Sequence, residues 1–307
     1  MALTLAHFSD VHLGPLPPGA IWDNFATKRL IGSVSWGMNR TKLHHPAVAQ
    51  AVIDDIRAAE PDHVALTGDL VNIAAHAEFP RGAEWLKEFG KASWISFVPG
   101  NHDAYVRVRW EQGLSHFAPY MEGDMAVAAI HTSAHSAAGF PYVRLRRNVA
   151  IIGLSSAKPQ SLFKAGGTLG ATQLQTLSKL LGDLKAKGYY RAVMIHHPPA
   201  PGLAPDRKAL TDAGALHDIL SSEGAELVLH GHNHRAMVNF IAGREARIPV
   251  IGVASASSTG TGKYEPATWN LYHISRNQGN WVTEVSVRSW DNTTRTIVPQ
   301  RRFTLPS

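Results

Sequence analysis

Five short polar segments constrain what this chain can fold into: Asp10-Val11-His12, Gly68-Asp69, Gly100-Asn101-His102-Asp103, His196-His197-Pro198 and Gly231-His232-Asn233-His234. Nearly every one follows an apolar, strand-like run: Leu3–Ala6 with Phe8, Val64–Leu66, Trp94–Val98, Ala192–Ile195 and Leu227–Leu229. The polar groups therefore fall at the carboxyl ends of strands. In open α/β sheets such ends converge on one crevice, so residues from Asp10 to His234 can meet.

The rest of the chain supplies the elements that such a sheet needs. Leu3–Asp10, His63–Asp69 and Trp94–Asn101 alternate with helical patterns near Pro46–Ala59 and Pro80–Phe89, a βαβαβ signature of parallel strands. Strand-like runs follow at Met125–His131, Tyr142–Leu145 and Val149–Ser155. A helix is expected over Ala171–Lys187, with Leu174, Leu177, Leu180, Leu181 and Leu184 on one stripe. Strand Arg191–His196, helix Thr211–Ser222 and strand Glu226–His230 continue the alternation. Ile248–Ala254, Thr268–Ile274 and Trp281–Trp290, with a hairpin loop at Asn277-Gln278-Gly279-Asn280, are expected to close a second sheet with antiparallel strands. The expectation is an α/β fold, a four-layer αββα sandwich of two mixed β-sheets flanked by helices, forming a single domain over 1–307. An insertion or cap at about 13–45 exceeds what a crossover requires. It carries Trp22, Phe25 and Trp36 beside Lys28, Arg29, Arg40 and Lys42, and reads either as a helical insertion or as a basic, aromatic cap facing substrate or a membrane surface.

Composition narrows the chemistry. The chain has 307 residues, 44% hydrophobic and 18% charged, close to globular averages. It has no Cys, so any metal site must be built from His, Asp, Glu and Asn. The net charge of +6 arises from 30 basic and 24 acidic residues, a modest excess that reads as solvated surface and not as a nucleic-acid interface. No apolar stretch approaches the roughly 20 residues of a spanning helix, and the N-terminus lacks the basic region of a signal peptide. A cytoplasmic station is expected, or one peripheral to the inner membrane if 13–45 meets lipid. Nothing in the sequence signals an oligomeric state.

The segments supply two carboxylates, one amide and four imidazoles as ligands, with His102 and His197 left over. Two divalent ions about 3.5–4 Å apart can generate a nucleophile, neutralise phosphate oxygens and assist the leaving group of a phosphoester. Asp69 is the candidate bridge. Asp10 with His12, and His232 with His234, are spaced two apart and need a kinked strand end to face one ion. Asn101 offers a neutral oxygen, and His196 ends a strand. Two divalent ions, two carboxylates and a bridging hydroxide leave about one positive charge in formal count, which favours phosphate binding. His102 then has no obligatory metal role and is placed to hydrogen-bond a phosphate oxygen or protonate the leaving group, with Asp103 orienting it. His44, His45, His131, His135 and His230 belong to no motif and are assigned structural or surface roles. Arg144, Arg146 and Arg147 read as a solvated strand face, and Trp269, Trp281 and Trp290 as core.

The ordered pattern D-x-H, G-D, G-N-H-[DE], H and G-H-x-H resembles the calcineurin-like metallophosphoesterase superfamily, and in style is similar to its bacterial cyclic-nucleotide and glycerophosphodiester phosphodiesterase branch. The resemblance implies that Asp10, His12, Asp69 and His234 bind one metal, and Asp69, Asn101, His196 and His232 the other. His102 would be the catalytic His, and His197, with Asn101 and His102, would line the substrate pocket. The implied cofactors are two divalent ions among Mn, Fe, Zn and Co. The implied activity is attack of a metal-bridging hydroxide on a small phosphodiester. Two rival readings are a pyrophosphatase acting on a nucleotide-lipid such as UDP-diacylglucosamine through 13–45, and a non-catalytic binding scaffold of the same fold.

Overall fold

The computed structural model describes residues 2–17, 43–124, 139–261 and 264–306. Strand β1 (Leu3–Phe8) is buried along almost its whole length, as a strand covered on both faces must be. It pairs in parallel with β2 (His63–Leu66), which pairs in parallel with β3 (Ile95–Phe97). The crossovers carry α1 (Pro46–Ala58) and α2 (Glu78–Phe89), and Pro46 opens the first where no intrahelical N–H is required. Val52, Ile56, Phe79 and Leu86 from these helices share one core with Leu5, Phe8, Leu66 and Phe97. The βαβαβ unit expected from the sequence is present.

The second sheet contains β4 (Tyr142–Arg146), β5 (Val149–Gly153), β6 (Tyr190–Met194), β7 (Leu227–His230), β8 (Met237–Ala242) and β9 (Arg247–Gly252), in the order β4-β5-β6-β7-β9-β8. The two-residue period of its strands divides their side chains between two cores. Val149, Ile151, Ala192, Met194, Leu227 and Leu229 face the core shared with the first sheet. Ala150, Ile152, Val193 and Val228 face the other way, onto α3 (Ala171–Ala186) and α4 (Ala213–Glu223). The leucine stripe of α3 is buried there. Both sheets mix parallel and antiparallel pairs, and helices flank them, giving the four-layer sandwich.

The C-terminal third departs from expectation. β10 (Thr268–Asn277), β11 (Asn280–Asp291) and β12 (Thr296–Thr304) extend the first sheet, in the order β12-β11-β10-β1-β2-β3, and do not close the second. β1 takes β2 along only one side, and antiparallel β10 fills the other, with Leu5 opposite Tyr272 and His7 opposite Asn270. Alternation in a sequence marks a strand but not the edge that receives it. β9 does join the second sheet, parallel to β7. β8 and β12, both edge strands, lie outside the strands expected from the sequence; β12 is thinly apolar and even tolerates Pro299, as edges do. The expected strand Met125–His131 lies outside the described residues, as does 18–42 of the insertion. No helix among the described residues is long and apolar enough to cross a membrane.

Trp269 and Trp290 are core residues as expected, and Trp281 packs edge-on against Tyr190 at 5.3 Å. Arg144 corrects the expectation of a solvated face. It is buried, and its guanidinium donates to the carbonyls of Glu122, Ile95 and Pro119 at 2.6–2.7 Å and to that of Ala92. A buried arginine is tolerated when carbonyl dipoles take the place of water.

Beside it, Arg146 Nε donates to Nδ1 of buried His63 at 3.2 Å, so the proton of His63 sits on Nε2 and is given to Ser96 Oγ at 2.8 Å. Burial, then the charges of Arg146 and Arg144, hold His63 well below its ordinary value of 6.5. The folded state therefore excludes a proton that the unfolded state accepts below about pH 6.5, and the associated stability is present above that pH and lost as pH falls through it. In urea unfolding of chelator-treated protein from about pH 7.5 to 5.5, His63→Gln is expected to flatten the acid-side decline by up to ~1.4 kcal/mol per pH unit. Equal slopes for the two proteins would refute the assignment.

Candidate metal centre

Asp10 follows β1, Asp69 follows β2, Asn101 follows β3, His196 follows β6, and His232 with His234 follow β7. Backbone hydrogen bonds tie these strand ends together: Asp10 N to Gly68 O at 2.9 Å, His12 N to Asp69 O at 3.0 Å and Gly231 N to His196 O at 3.1 Å. The kinks expected at the i, i+2 pairs take the form of left-handed backbone, with φ of 56° at Asp10, 47° at His12, 68° at His232 and 54° at His234. Asp69 is left-handed as well, at 54°. Such conformations cost on the order of 1–3 kcal/mol each in non-glycine residues and persist where the surroundings over-determine them. Two glycines make room. A Cβ on Gly100 would stand 2.2 Å from Asp69 Oδ1, and one on Gly231 would stand 1.9 Å from Ser9 Oγ.

Three groups of ligand atoms result among the described residues, two of which contain carboxylates, while the third joins His44 to His12 and His234. Of the two with carboxylates, Asp10, His12, Asp69 and His234 form one, and Asp69, His196 and His232 the other, so Asp69 belongs to both. In the first, His234 Nε2 lies 3.1 Å from Asp10 Oδ1 and 3.3 Å from His12 Nε2, and His12 Nε2 lies 3.8 Å from Asp69 Oδ2. In the second, His196 Nε2 lies 3.4 Å from the same Asp69 Oδ2, 3.2 Å from Asn101 Oδ1 and 3.2 Å from His232 Nδ1. All seven predicted ligand residues are thereby brought together.

The chemistry of this donor set fits cations. His196 Nδ1 donates to Thr67 O at 2.7 Å, and His232 Nε2 donates to Lys208 O at 3.0 Å. Each neutral ring thus turns a lone pair inward, toward the oxygens of Asn101 and Asp69. With both rings neutral, four acceptors converge, an arrangement that a positive charge, whether a proton on His196 or a cation, must compensate. Asp10 Oδ1 is fully buried and faces His234 Nε2 at 3.1 Å, with no well-aligned hydrogen-bond donor among the described residues. The electrostatics agree. Burial raises the Asp69 carboxyl, but His196, His102 and His12 outweigh it and hold the group well below the usual range. Burial lowers His196, while Asp69 and Asp10 push it up to about 9. A positive charge beside Asp69 is what the pocket favours.

His102 stands next to the centre and in none of these groups among the described residues. Its N–H donates to Asp69 Oδ1 at 2.7 Å, its ring stacks on Tyr105 at 5.5 Å, and its edge meets His12 at 4.9 Å. Asp103 does not orient it, contrary to expectation; the carbonyl of Asn72 does, accepting from His102 Nδ1. The Asp103 carboxylate is spent on the backbone, accepting N–H groups of Asp69, Leu70, Val71 and Gly100 at 2.8–3.0 Å. Glu78 continues the pattern, accepting from Asn72, Ile73 and Ala75. Two carboxylates thus fix the whole loop that carries Asp69. His197 is a second correction. It is fully buried, donating from Nε2 to Ala165 O at 3.1 Å and accepting at Nδ1 from Ser156 Oγ at 2.7 Å, so it backs His232 at 4.4 Å between ring centres and does not line the pocket.

Sequence reasoning missed two residues. Glu78 carries no motif, and only its six-residue distance from Asn72 hints at a loop acceptor. His44 was assigned a structural or surface role, yet its ring centre lies 4.4 Å from His12 and 5.6 Å from His234.

Comparison with known proteins gives consistent relationships. A family model described as calcineurin-like phosphoesterase matches residues 3–236. The chain is 26% identical over 295 residues to a probable cyclic nucleotide phosphodiesterase of a Synechococcus strain, covering 94% of this chain and 95% of that protein. A probable cyclic nucleotide phosphodiesterase of Synechococcus strain WH7803 is 25% identical over 209 residues, covering 65% of this chain and 67% of that one. In fold, the chain is similar to a dimetal phosphatase from Danio rerio, at a TM-score of 0.65 and 12% identity over 99% of this chain and 98% of that one.

If Asp103 serves the backbone, Asp103→Ala leaves four N–H groups without their acceptor and should destabilise the protein by about 2–4 kcal/mol in urea unfolding. Asp103→Asn, which keeps one acceptor oxygen, should fall between. A near-neutral Asp103→Ala would remove the carboxylate from its proposed place.

Proposed function

The chain belongs to the calcineurin-like phosphoesterase family, and from that premise we propose that it hydrolyses small soluble phosphodiesters, cyclic nucleotides foremost, at a centre of two divalent cations. It is a hydrolase of phosphoesters. The observation that carries the reading is the pair of ligand groups sharing Asp69 Oδ2. The diester and cyclic-nucleotide part is supported by two relatives that carry that description. None of the seven proposed ligand residues is replaced, which disfavours the scaffold reading.

Asp10, His12, Asp69 and His234 would hold one cation, and Asp69, Asn101, His196 and His232 the other. When bound, such ions polarise a phosphoester and acidify water. The chain's own part is to fix donor geometry. The carbonyls of Thr67 and Lys208 set the ring tautomers, and Asp69 spans the two positions. His102, its Nδ1 committed to Asn72 O, would present Nε2 to the phosphate; in protonated form that atom can donate to a nonbridging oxygen or to the departing alkoxide.

The test is chelation followed by reconstitution with Mn, Fe, Zn or Co, and a panel of bis(p-nitrophenyl) phosphate, p-nitrophenyl phosphate, cyclic AMP, glycerophosphodiesters and UDP-diacylglucosamine. Diester turnover is expected to disappear on chelation and return with metal. His102→Ala should lower kcat by roughly 10²–10⁴-fold with both ions retained, while Asp69→Ala should abolish binding of the pair. Turnover confined to the nucleotide-lipid, or none despite two bound ions, would overturn the diesterase reading.

A further inference from the structure

His44 lies just before α1, and the backbone around it is pinned to the connection between β9 and β10: His44 bridges Ser258, and His45 N donates to Ser257 O at 2.8 Å. The imidazole is 3% exposed. Its Nδ1 meets Ser257 Oγ at 2.8 Å and Ser255 Oγ at 3.3 Å. Ser255 gives its proton to the carbonyl of Asp10 at 2.6 Å. A metal-ligand loop and His44 are thus tied to one serine pair, and the ring is held against the tilted ring of His12 and the edge of His234.

The position of the ring relative to the ligand groups decides what it can do. A nitrogen of His44 lies within 4.8 Å of those of His12 and His234, but His44 is not part of the group that also contains Asp10 and Asp69. Ligands of a single ion all lie within about two metal–ligand bond lengths of one another, roughly 4.2 Å for bonds near 2.1 Å. His44 therefore flanks the first cation position without closing around it. A group in that place faces what the cation binds.

We propose that His44 is a substrate-contacting residue, donating from Nε2 to a phosphate oxygen held at the first cation position. The tautomer that does so is available in the observed network: Ser257 Oγ donates to Nδ1, leaving the proton on Nε2. The site would then grip phosphate from two sides, with His102 beside Asn101 and His44 beside His12 and His234. This inference rests on the two-cation reading above.

The experiment uses the full chain loaded with Mn, comparing wild type with His44→Ala, His44→Gln and Ser257→Ala. Metal uptake is read by calorimetry, and inorganic phosphate serves as the probe of substrate binding, alongside KM and kcat for bis(p-nitrophenyl) phosphate. Expected are two ions bound by every variant with affinities within about threefold of wild type. Phosphate binding should weaken about tenfold in His44→Ala, equivalent to ~1.4 kcal/mol, and less in Ser257→Ala, where the ring remains but loses its anchor. Loss of one ion, or a tenfold fall in metal affinity, would make His44 a ligand and overturn the proposal. Unchanged phosphate binding in both His44 variants would make it a bystander. A wild-type protein that takes up no metal would overturn the two-cation reading itself, and this inference with it.

Discussion

The structure depends on one buried carboxylate. Asp69 reaches His12 with the same oxygen that it turns toward His196, and its other oxygen accepts the backbone N–H of His102. Its own N–H is held by Asp103, as are those of the next two residues. A carboxylate removed from water is costly unless positive charge and hydrogen bonds surround it. Here the surroundings are the imidazoles of His196, His102 and His12, a loop closed by Asp103 and Glu78, and a glycine at position 100 that lets the backbone approach.

Each ligand group needs both sheets. The first takes Asp10, His12 and Asp69 from the ends of β1 and β2 and His234 from beyond β7; the second takes Asp69 and Asn101 from the first sheet and His196 and His232 from the second. The apolar core between the sheets, from Leu5 and Phe8 to Met194 and Leu229, sets the distance across which these donors meet. Cation binding at this centre would therefore be linked to sheet docking: an ion that prefers this donor geometry stabilises the packed state that creates it.

Positioning is done mainly by backbone carbonyls. Thr67, Lys208 and Asn72 each accept from one nitrogen of a site imidazole, turning the other toward the centre. Because these carbonyls belong to loops held by strand ends, the orientation of each ring follows from the fold and requires no dedicated acidic partner. Asp103 is accordingly free to act on the loop.

How far the sequence reached follows from the range of the forces involved. Local pattern determined the parallel β1-β2-β3 unit, the leucine stripe of α3 and the strand-end placement of the seven proposed ligand residues, because apolar periodicity and strand-end placement are properties of short segments. It could not assign β10–β12 to the first sheet, since alternation fixes a strand's faces and not its neighbour. It read Arg144 as solvated, although the carbonyls of Glu122, Ile95 and Pro119 that accept it lie 22 to 49 positions away in the chain. It gave Asp103 to His102 because the two are adjacent in sequence, whereas hydrogen bonding in space gave Asp103 to the backbone of Asp69–Val71. His44 was invisible for the same reason: its anchors, Ser255 and Ser257, lie more than two hundred positions away, and only tertiary packing brings an unremarkable histidine beside His12 and His234.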